Sequence, residues 1–282
     1  MSSGKKGSHP PTLIRIVERT LDQEIPTEPG QKLLLAVSGG GDSTALLHVM
    51  AGLGTARGLV LHAHGIDHGL RPEAPAELDL AESLATTLNV PFSRSSVALG
   101  PGGNLQAKAR DLRYRALRLR AAELGGARIV TAHHANDRAE TVLLRLLRGA
   151  GVEGLGVLGA AEGDLVRPFL RATREDIELH LKRHALEFAS DPSNKNAKYT
   201  RVRVRRELLP LLQTLSPSIV QQLCNLADEA IGLRERNGSD GTAVQPLGRK
   251  QRVALESAIE RGQLGFQLPI NARLRIVLEE NK

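Results

Sequence analysis

The chain of 282 residues is 41% hydrophobic, enough for one large core or for a domain of ordinary size with a smaller companion, and too much for a disordered chain. Lys and Arg number 38 against 31 Asp and Glu, a formal charge of +7 with pI near 9.9, a balance that suits a polyanionic partner but is also common among basic enzymes that bind none. Aromatics at 2% exclude a grip on single strands made mainly by base stacking, and the single cysteine excludes an internal disulfide framework, a Cys-rich zinc site and an iron–sulfur cluster held by several thiolates of this chain.

Residues 1–10 read as a leader without a signal-peptide core, and no apolar run reaches the length of a membrane span, so a cytoplasmic protein without a membrane partner is expected. TLIRIVERTLDQE (12–24) sets Leu13, Ile16, Val17 and Leu21 on one face of a helix, which IPTEPG (25–30) breaks. KLLLAV (32–37) is an apolar run of strand length, suited to burial on both faces of a parallel sheet. Helix over 43–51, strand over 58–67, helix over 75–89, strand over 91–99, a long basic helix over 104–125, strand over 127–134 and helix over 137–148 follow. This alternation predicts an α/β fold, an open parallel sheet flanked by helices, with ligands held beyond the carboxyl ends of its strands.

The character changes after about residue 165. TREDIELHLKRHAL (173–186) opens with a capping-box spacing from Thr173 to Asp176, DPSNKNAKYT (191–200) is a polar loop, and RVRVRRELLPLLQTL (201–215) and residues 216–236 are helical. Cys224 falls in an apolar helical pattern and belongs to a core. NGSDGTAVQPLG (237–248) reads as a linker, before a helix over 250–261 and two short strands around a turn. The expected organisation is a leader and helix (1–29), an α/β domain (30–165), a helical region (166–236), and a linker with a small α+β tail (237–282), without internal repeats.

The stretch LLLAVSGGGDSTALL (33–47) places three adjacent glycines between a buried strand and a helix start. Glycines admit positive φ and close approach, and a helix N-terminus offers free N–H groups and a partial positive charge, so a phosphate is the natural guest; a plain turn needs fewer glycines. The Walker A Lys-Ser/Thr pair and the G-x-G-x-x-G spacing are both absent.

SGGGDS (38–43) resembles the S-G-G-x-D-S loop of the N-type ATP pyrophosphatases, which cleave ATP between the α and β phosphates and adenylate a substrate oxygen. IDHGLR (66–71), NLQAKARDLRY (104–114), HHANDRAETVLLRLLRGAG (133–151), RPFL (167–170) and DPSN with the following arginines and LLP (191–210) resemble, in order, the tRNA(Ile)-lysidine synthases. The resemblance runs from about residue 30 to about 235, with a tail fragment similar to that family's small C-terminal domain. It implies adenylation of the wobble cytidine of tRNA(Ile) by ATP with Mg²⁺, displacement of AMP by the ε-amine of free lysine, and a homodimer.

The resemblance implies ATP binding by Ser38, Gly39, Gly40, Gly41, Asp42, Ser43, His68, Arg71 and His133. Asp42, set among amides that attract anions, suits a Mg²⁺ bridging the phosphates, or else a first-turn acid that complements the helix dipole. Asp137 and Glu140, three apart on one helix face, join Asp42 as implied catalytic residues; they suit the charged groups of lysine, the metal, or deprotonation of the amine, and their spacing is equally that of a capping box. Arg110, Arg113, Asn194, Arg201 and Arg205 are the implied tRNA contacts, although arginines along a helix are also ordinary solvated surface.

The sequence departs from the family pattern at Asn136 and Arg138, where Asp and Gln are usual, at Gln106, where Glu is usual, and at Val202, where Asn is usual. If acids at 136 or 106 serve the site, lysine or metal binding is weakened, and a tRNA- or nucleotide-binding paralogue with reduced turnover becomes the competing reading. A tRNA-thiolation enzyme of the same superfamily would call for reactive cysteines, and an amide-forming synthetase for a glutaminase segment with an N-terminal nucleophilic cysteine; the chain has neither.

Overall fold

The computed structural model describes residues 12–67, 69, 73–97, 105–189, 200–239, 254, 257–258, 260–261, 267–269 and 275–277. The chain divides into two compact units, Met1–Gly232 and Leu233–Lys282.

In the first unit, helix α1 (Leu13–Gln23) buries Leu13, Val17 and Leu21 along one stripe. Strand β1 (Lys32–Val37) then runs straight into helix α2 (Gly41–Ala56). Strand β2 (Val60–Asp67), helix α3 (Ala74–Thr87) and strand β3 (Phe92–Ser96) follow, then α4 (Leu105–Glu123), β4 (Arg128–Val130) and α5 (Ala135–Leu147). The short strands β5 (Ala161–Glu162) and β6 (Leu165–Val166) complete a sheet of order β3-β2-β1-β4-β6-β5, parallel except for β5. These last two strands were not foreseen, because two residues are too few to show a periodicity.

β1 is buried on both faces: Leu33, Leu35 and Val37 join the core beneath α1 and α2, while Leu34 packs with Tyr114, Leu117 and Ile129 beneath α4. After β1 the chain builds β2 and β3 on one side, then returns to place β4 on the other. The two ends of β1 and β4 therefore meet at a topological switch point, where open parallel sheets leave a crevice. Thr131–His134, expected in the strand, leave the sheet after Val130 and deliver α5 to that crevice.

Helix α6 (Arg174–Arg183) carries the expected capping box: Thr173 Oγ1 accepts from Asp176 N at 3.2 Å, and Thr173 N donates to Asp176 Oδ2 at 2.8 Å. The helix expected over 201–215 is instead α7 (Thr200–Arg203), a π-helical turn (Val204–Leu208) and α8 (Leu209–Leu215). Pro210 explains the break. It has no N–H and its ring would clash with the carbonyl of Arg206, so the turn widens and Leu209 N donates to Val204 O. Helix α9 (Ile219–Ser239) closes a second core with α5 through Val142, Leu143, Leu223, Cys224 and Ala227, and runs into the expected linker. In the second unit, β7 (Gln267–Pro269) pairs antiparallel with β8 (Arg275–Val277), the hairpin expected there. Of the helix expected over 250–261, Ala254, Ser257, Ala258 and Glu260 are helical and Arg261 lies in a turn; the remainder of that stretch and of the linker lies outside the described residues.

A chain of charges links the elements around α5. Arg138, fully buried, donates from Nε to Val157 O at 3.0 Å and pairs with Asp228 at 2.7 Å. Asp228 in turn meets Arg171 at 2.5 Å, and Arg171 makes a two-pronged contact to Glu24 at 2.7 Å. Removing one member of such a set leaves a buried charge uncompensated, and the Asp228→Ala variant is expected to lose about 3 kcal/mol in denaturant unfolding, while Arg138→Met, which removes the buried charge itself, loses less.

His48 of α2 packs with His180 of α6 and with His184, ring centroids lying 4.4–5.1 Å apart. Burial, then His184, His48 and Arg183, push His180 from 6.5 down to about 4, and burial and His184 lower His48. Folded His180 takes up its proton only towards pH 4, whereas the unfolded chain does so below 6.5. The contribution of neutral His180 is therefore complete above about pH 6.5 and is lost as pH falls towards 4, and the lowered His48 acts in the same direction. Thermal unfolding measured across that window is expected to show a falling midpoint, and His180→Gln to flatten the dependence.

Candidate active site

The glycine loop is shaped by bonds to its own carbonyls and hydroxyls. Ser43 Oγ donates to Gly40 O at 2.9 Å and accepts from Ser38 N at 3.1 Å, and Ala189 N donates to Gly39 O at 2.9 Å from the strand-like segment after α6. Gly39 has φ +77°, and a Cβ there would lie 2.2 Å from the carbonyl oxygen of Glu77, so α3 closes over the loop only because the side chain is absent. α2 begins at Gly41, which leaves the N–H groups of Gly41, Asp42 and Ser43 without intrahelical acceptors. Beside them opens a cleft of about 820 Å³. Ser43, read as a phosphate donor, gives its one hydroxyl proton to the loop itself.

Asp42 projects from this helix start with its side chain 45% exposed, and its Oδ2 lies 3.7 Å from Nε2 of His134. His134 is fully buried and neither ring nitrogen has a hydrogen-bond partner; its Nε2 stands 3.5 Å from Asp137 Oδ2 on the other side. His134 thus lies between the carboxylate of the glycine loop and the first acid of α5.

Asp137 lines the cleft and also caps its own helix, accepting from His134 N at 3.3 Å; the capping box runs from His134 to Asp137, not from Asp137 to Glu140 as their spacing allowed, because the helix begins at Ala135 and Glu140 falls inside it. Burial pushes its pKa upward, but His134, His133, Arg205 and the His134 N–H outweigh burial and hold it below the ordinary carboxylate range. Glu140, 1% exposed, does not line the cleft; it reaches it through Arg205, which donates from Nε at 2.6 Å and from Nη2 at 2.9 Å. The same Nη2 donates to Asp137 at 3.0 Å, and Arg201 stands 3.6 Å from Glu140. Arg205 sits on the π-helical turn, so the irregularity produced by Pro210 falls at the residue that reaches both acids. Burial lowers the Arg205 pKa and its two acid partners more than restore it.

His133 faces the cleft, accepting from or donating to Thr131 Oγ1 at 2.8 Å, and burial drives its pKa down to about 3, so it is neutral. Arg110 and Arg113 of α4 also line the cleft, with their guanidinium carbons 5.1 and 5.5 Å from the ring centre of Tyr114. His68, Arg71 and Asn194 lie outside the described residues, as does the side chain of Gln106. His64, Glu77, Arg174, Glu178 and Phe188 also line the cleft and were not singled out in the sequence. Arg174 alone carried a local signal, as the first residue after a capping threonine.

Asn136 and Arg138 are both buried and neither lines the cleft: Asn136 Oδ1 accepts from Arg174 N at 2.9 Å at the start of α6, and Arg138 pairs with Asp228. Cys224 is buried as expected, its Sγ against Ala135 O at 3.4 Å, and burial raises its thiol to about 11. Among the described residues no group of three or more His, Cys, Asp and Glu is arranged to hold a metal, and no helix is long and apolar enough to cross a membrane.

A parallel sheet, a glycine cradle at the first strand–helix junction and acids from the neighbouring junction define a nucleotide-handling α/β domain. The chain belongs to the family described as the PP-loop domain, whose model matches residues 13–212. It is similar to the tRNA(Ile)-lysidine synthase of Symbiobacterium thermophilum, 40% identical over 213 residues that cover 71% of this chain and 44% of that protein. It is also similar to that of Alkalilimnicola ehrlichii, 38% identical over 267 residues, 87% of this chain and 59% of the other. The chain thus spans about half the length of the curated relatives it matches. The U34-tRNA thiolase NcsA from Methanococcus maripaludis, solved with its [4Fe-4S] cluster, shares the fold at TM-score 0.67 and 14% identity, over 79% of this chain and 78% of that one.

Gly39→Ala forces a side chain onto a backbone carbonyl and a residue into positive φ. Its nucleotide affinity, read by calorimetric titration, is expected to fall by about tenfold or more with the fold retained.

Proposed function

We propose that this chain uses ATP to ligate lysine to the wobble cytidine of tRNA(Ile) with a CAU anticodon, giving lysidine, AMP and pyrophosphate. One observation carries the reading: the start of α2 and Asp137, Arg201 and Arg205, the two arginines backed by the buried Glu140, line a single cleft. In the first step the cytidine carbon-2 oxygen attacks the α-phosphorus and the bond to the bridging oxygen breaks. Pyrophosphate departs on the amides of the glycine loop, which stabilise the charge it gathers. In the second step the ε-amine attacks carbon-2, AMP leaves with the oxygen, and the amine gives up its proton.

Lysine brings an α-carboxylate and an α-ammonium besides the reacting amine. Asp137, with Glu140 behind it through Arg205, suits the ammonium, and Arg201 and Arg205 the carboxylate, which aims the ε-amine into the cleft. The depressed pKa of Asp137 supports an ion-pairing role over that of a proton acceptor. Until lysine arrives, Arg205 neutralises both acids. A half-exposed carboxylate at the helix start suits Mg²⁺, which takes one or two carboxylates besides phosphate oxygens, so Asp42 is the residue that would hold it. When bound, the ion would neutralise phosphate charge.

Arg110 and Arg113 belong in this reading to the phosphates of ATP or tRNA, and Arg201 lies at the mouth between lysine and tRNA. His68, Arg71 and Asn194 keep the roles the family resemblance gives them. The α/β domain over 30–165 handles ATP, the helical region over 166–236 meets tRNA, and the protein acts in the cytoplasm as a homodimer. Sulfur transfer is disfavoured by the lone cysteine, whose buried thiol stays protonated.

Incubation of the full chain with ATP, labelled lysine and total bacterial tRNA tests the proposal. ATP-dependent incorporation of lysine into tRNA, reduced to background by Asp42→Ala, is the expected outcome; pyrophosphate release without lysine transfer would point to another nucleophile, and no release to a binding protein.

A further inference from the structure

Aromatic side chains are scarce here: four phenylalanines, two tyrosines and no tryptophan in the whole chain. Among the described residues Phe169 and Tyr114 are buried and Phe92 is partly so, whereas Phe188 is 46% exposed and lines the cleft. A large apolar ring left open to water in a basic cleft is costly unless something covers it.

The position of this ring is fixed by the phosphate cradle. The residue after it, Ala189, donates to Gly39 O at 2.9 Å and forms a short parallel bridge with Gly40. A Cβ on Gly41 would lie 3.3 and 3.4 Å from two ring carbons of Phe188 and 3.1 Å from Leu181. One edge of the ring therefore rests on the first residue of α2, at the same helix start whose amides face the departing phosphates. The same cleft is lined by Ala36 and Ile66 from the sheet, and by Leu181 and Arg174 of α6, Phe188 after it and Arg201 of α7.

We propose that Phe188 is the stacking surface for the nucleobase that receives the adenylate, with Arg174 and Arg201 on its flanking phosphates. The inference rests on the function proposed above and adds to it the residue that holds the acceptor. Attack on the α-phosphorus requires a base oxygen within about 3–3.5 Å and in line, so the base must leave its stack and sit beside the loop. An extruded base loses its neighbours on both faces, and an aromatic ring replaces one of them whatever the base. A single ring is enough for one base, which agrees with a chain too poor in aromatics to stack along a strand.

Phe188→Ala, Phe188→Leu and Phe188→Trp in the full chain test this. Three quantities are read: ATP affinity, the KM for tRNA in pyrophosphate release, and the emission of a fluorescent cytidine analogue placed at the acceptor position of an anticodon stem-loop. Phe188→Ala and Phe188→Leu are expected to raise the KM for tRNA about tenfold or more and to abolish the quenching of the analogue, with ATP affinity changed by less than about threefold and Phe188→Trp close to the parent. The inference is overturned if Phe188→Leu behaves as the parent, which makes the residue apolar packing only. It is equally overturned if ATP affinity falls in step with the KM for tRNA, which makes the ring a support of the loop. A parent chain that releases no pyrophosphate with any tRNA defeats the proposed function instead; the analogue still reports stacking in that case, and emission unaffected by Phe188→Ala removes the inference separately.

Discussion

The arrangement depends on how one loop is held. Ser43 turns its hydroxyl back to Gly40 and Ser38, and Ala189 takes the carbonyl of Gly39 from outside. With these carbonyls and the Ser43 hydroxyl so engaged, the N–H groups at the start of α2 are left without intrahelical acceptors. Three adjacent glycines cannot hold such a shape by themselves, since glycine loses more backbone entropy on ordering than any other residue. The surrounding bonds supply the rigidity, and the glycines supply the closeness: α3 lies against Gly39, and the Phe188 ring against Gly41.

The second requirement is electrostatic. A cleft that receives a polyphosphate would be harmed by buried acids nearby, yet Asp137 and Glu140 stand at its edge. Arg205 resolves the conflict by binding both, and it reaches them from a helix that Pro210 has locally widened. An arginine that looks like one more member of a basic surface cluster is thereby drawn into the site. Its neighbour Arg203 shows the contrast, since it pairs with Glu207 at the surface.

Asn136 and Arg138, two of the positions where this chain departs from its family pattern, have an ordinary physical account. A helix carries its residues in all directions, so consecutive positions on α5 serve different neighbours. Asp137 faces the cleft, Asn136 reaches the start of α6, and Arg138 crosses to α9. Arg138 with Asp228 forms a buried pair embedded in a longer series of charges, so a cation at that position is matched on the α9 side. Val202 on the short α7 has no such explanation from its contacts.

Much of this was legible in the chain itself. The apolar run 32–37 became β1 with those bounds, because a strand buried on both faces is marked by hydrophobicity alone, and the order of strands and helices sufficed for a parallel sheet. The glycine loop and the spacing of Asp137 to Glu140 were visible too, because their geometry is local. The tertiary structure decided what lies far apart in the chain and close in space: Arg205 on Glu140, Ala189 on Gly39, Phe188 on Gly41, and the two-residue strands at the sheet edge. Those contacts depend on how helices pack and where one bends, and periodicity along the chain records which face is apolar without recording which neighbour will meet it.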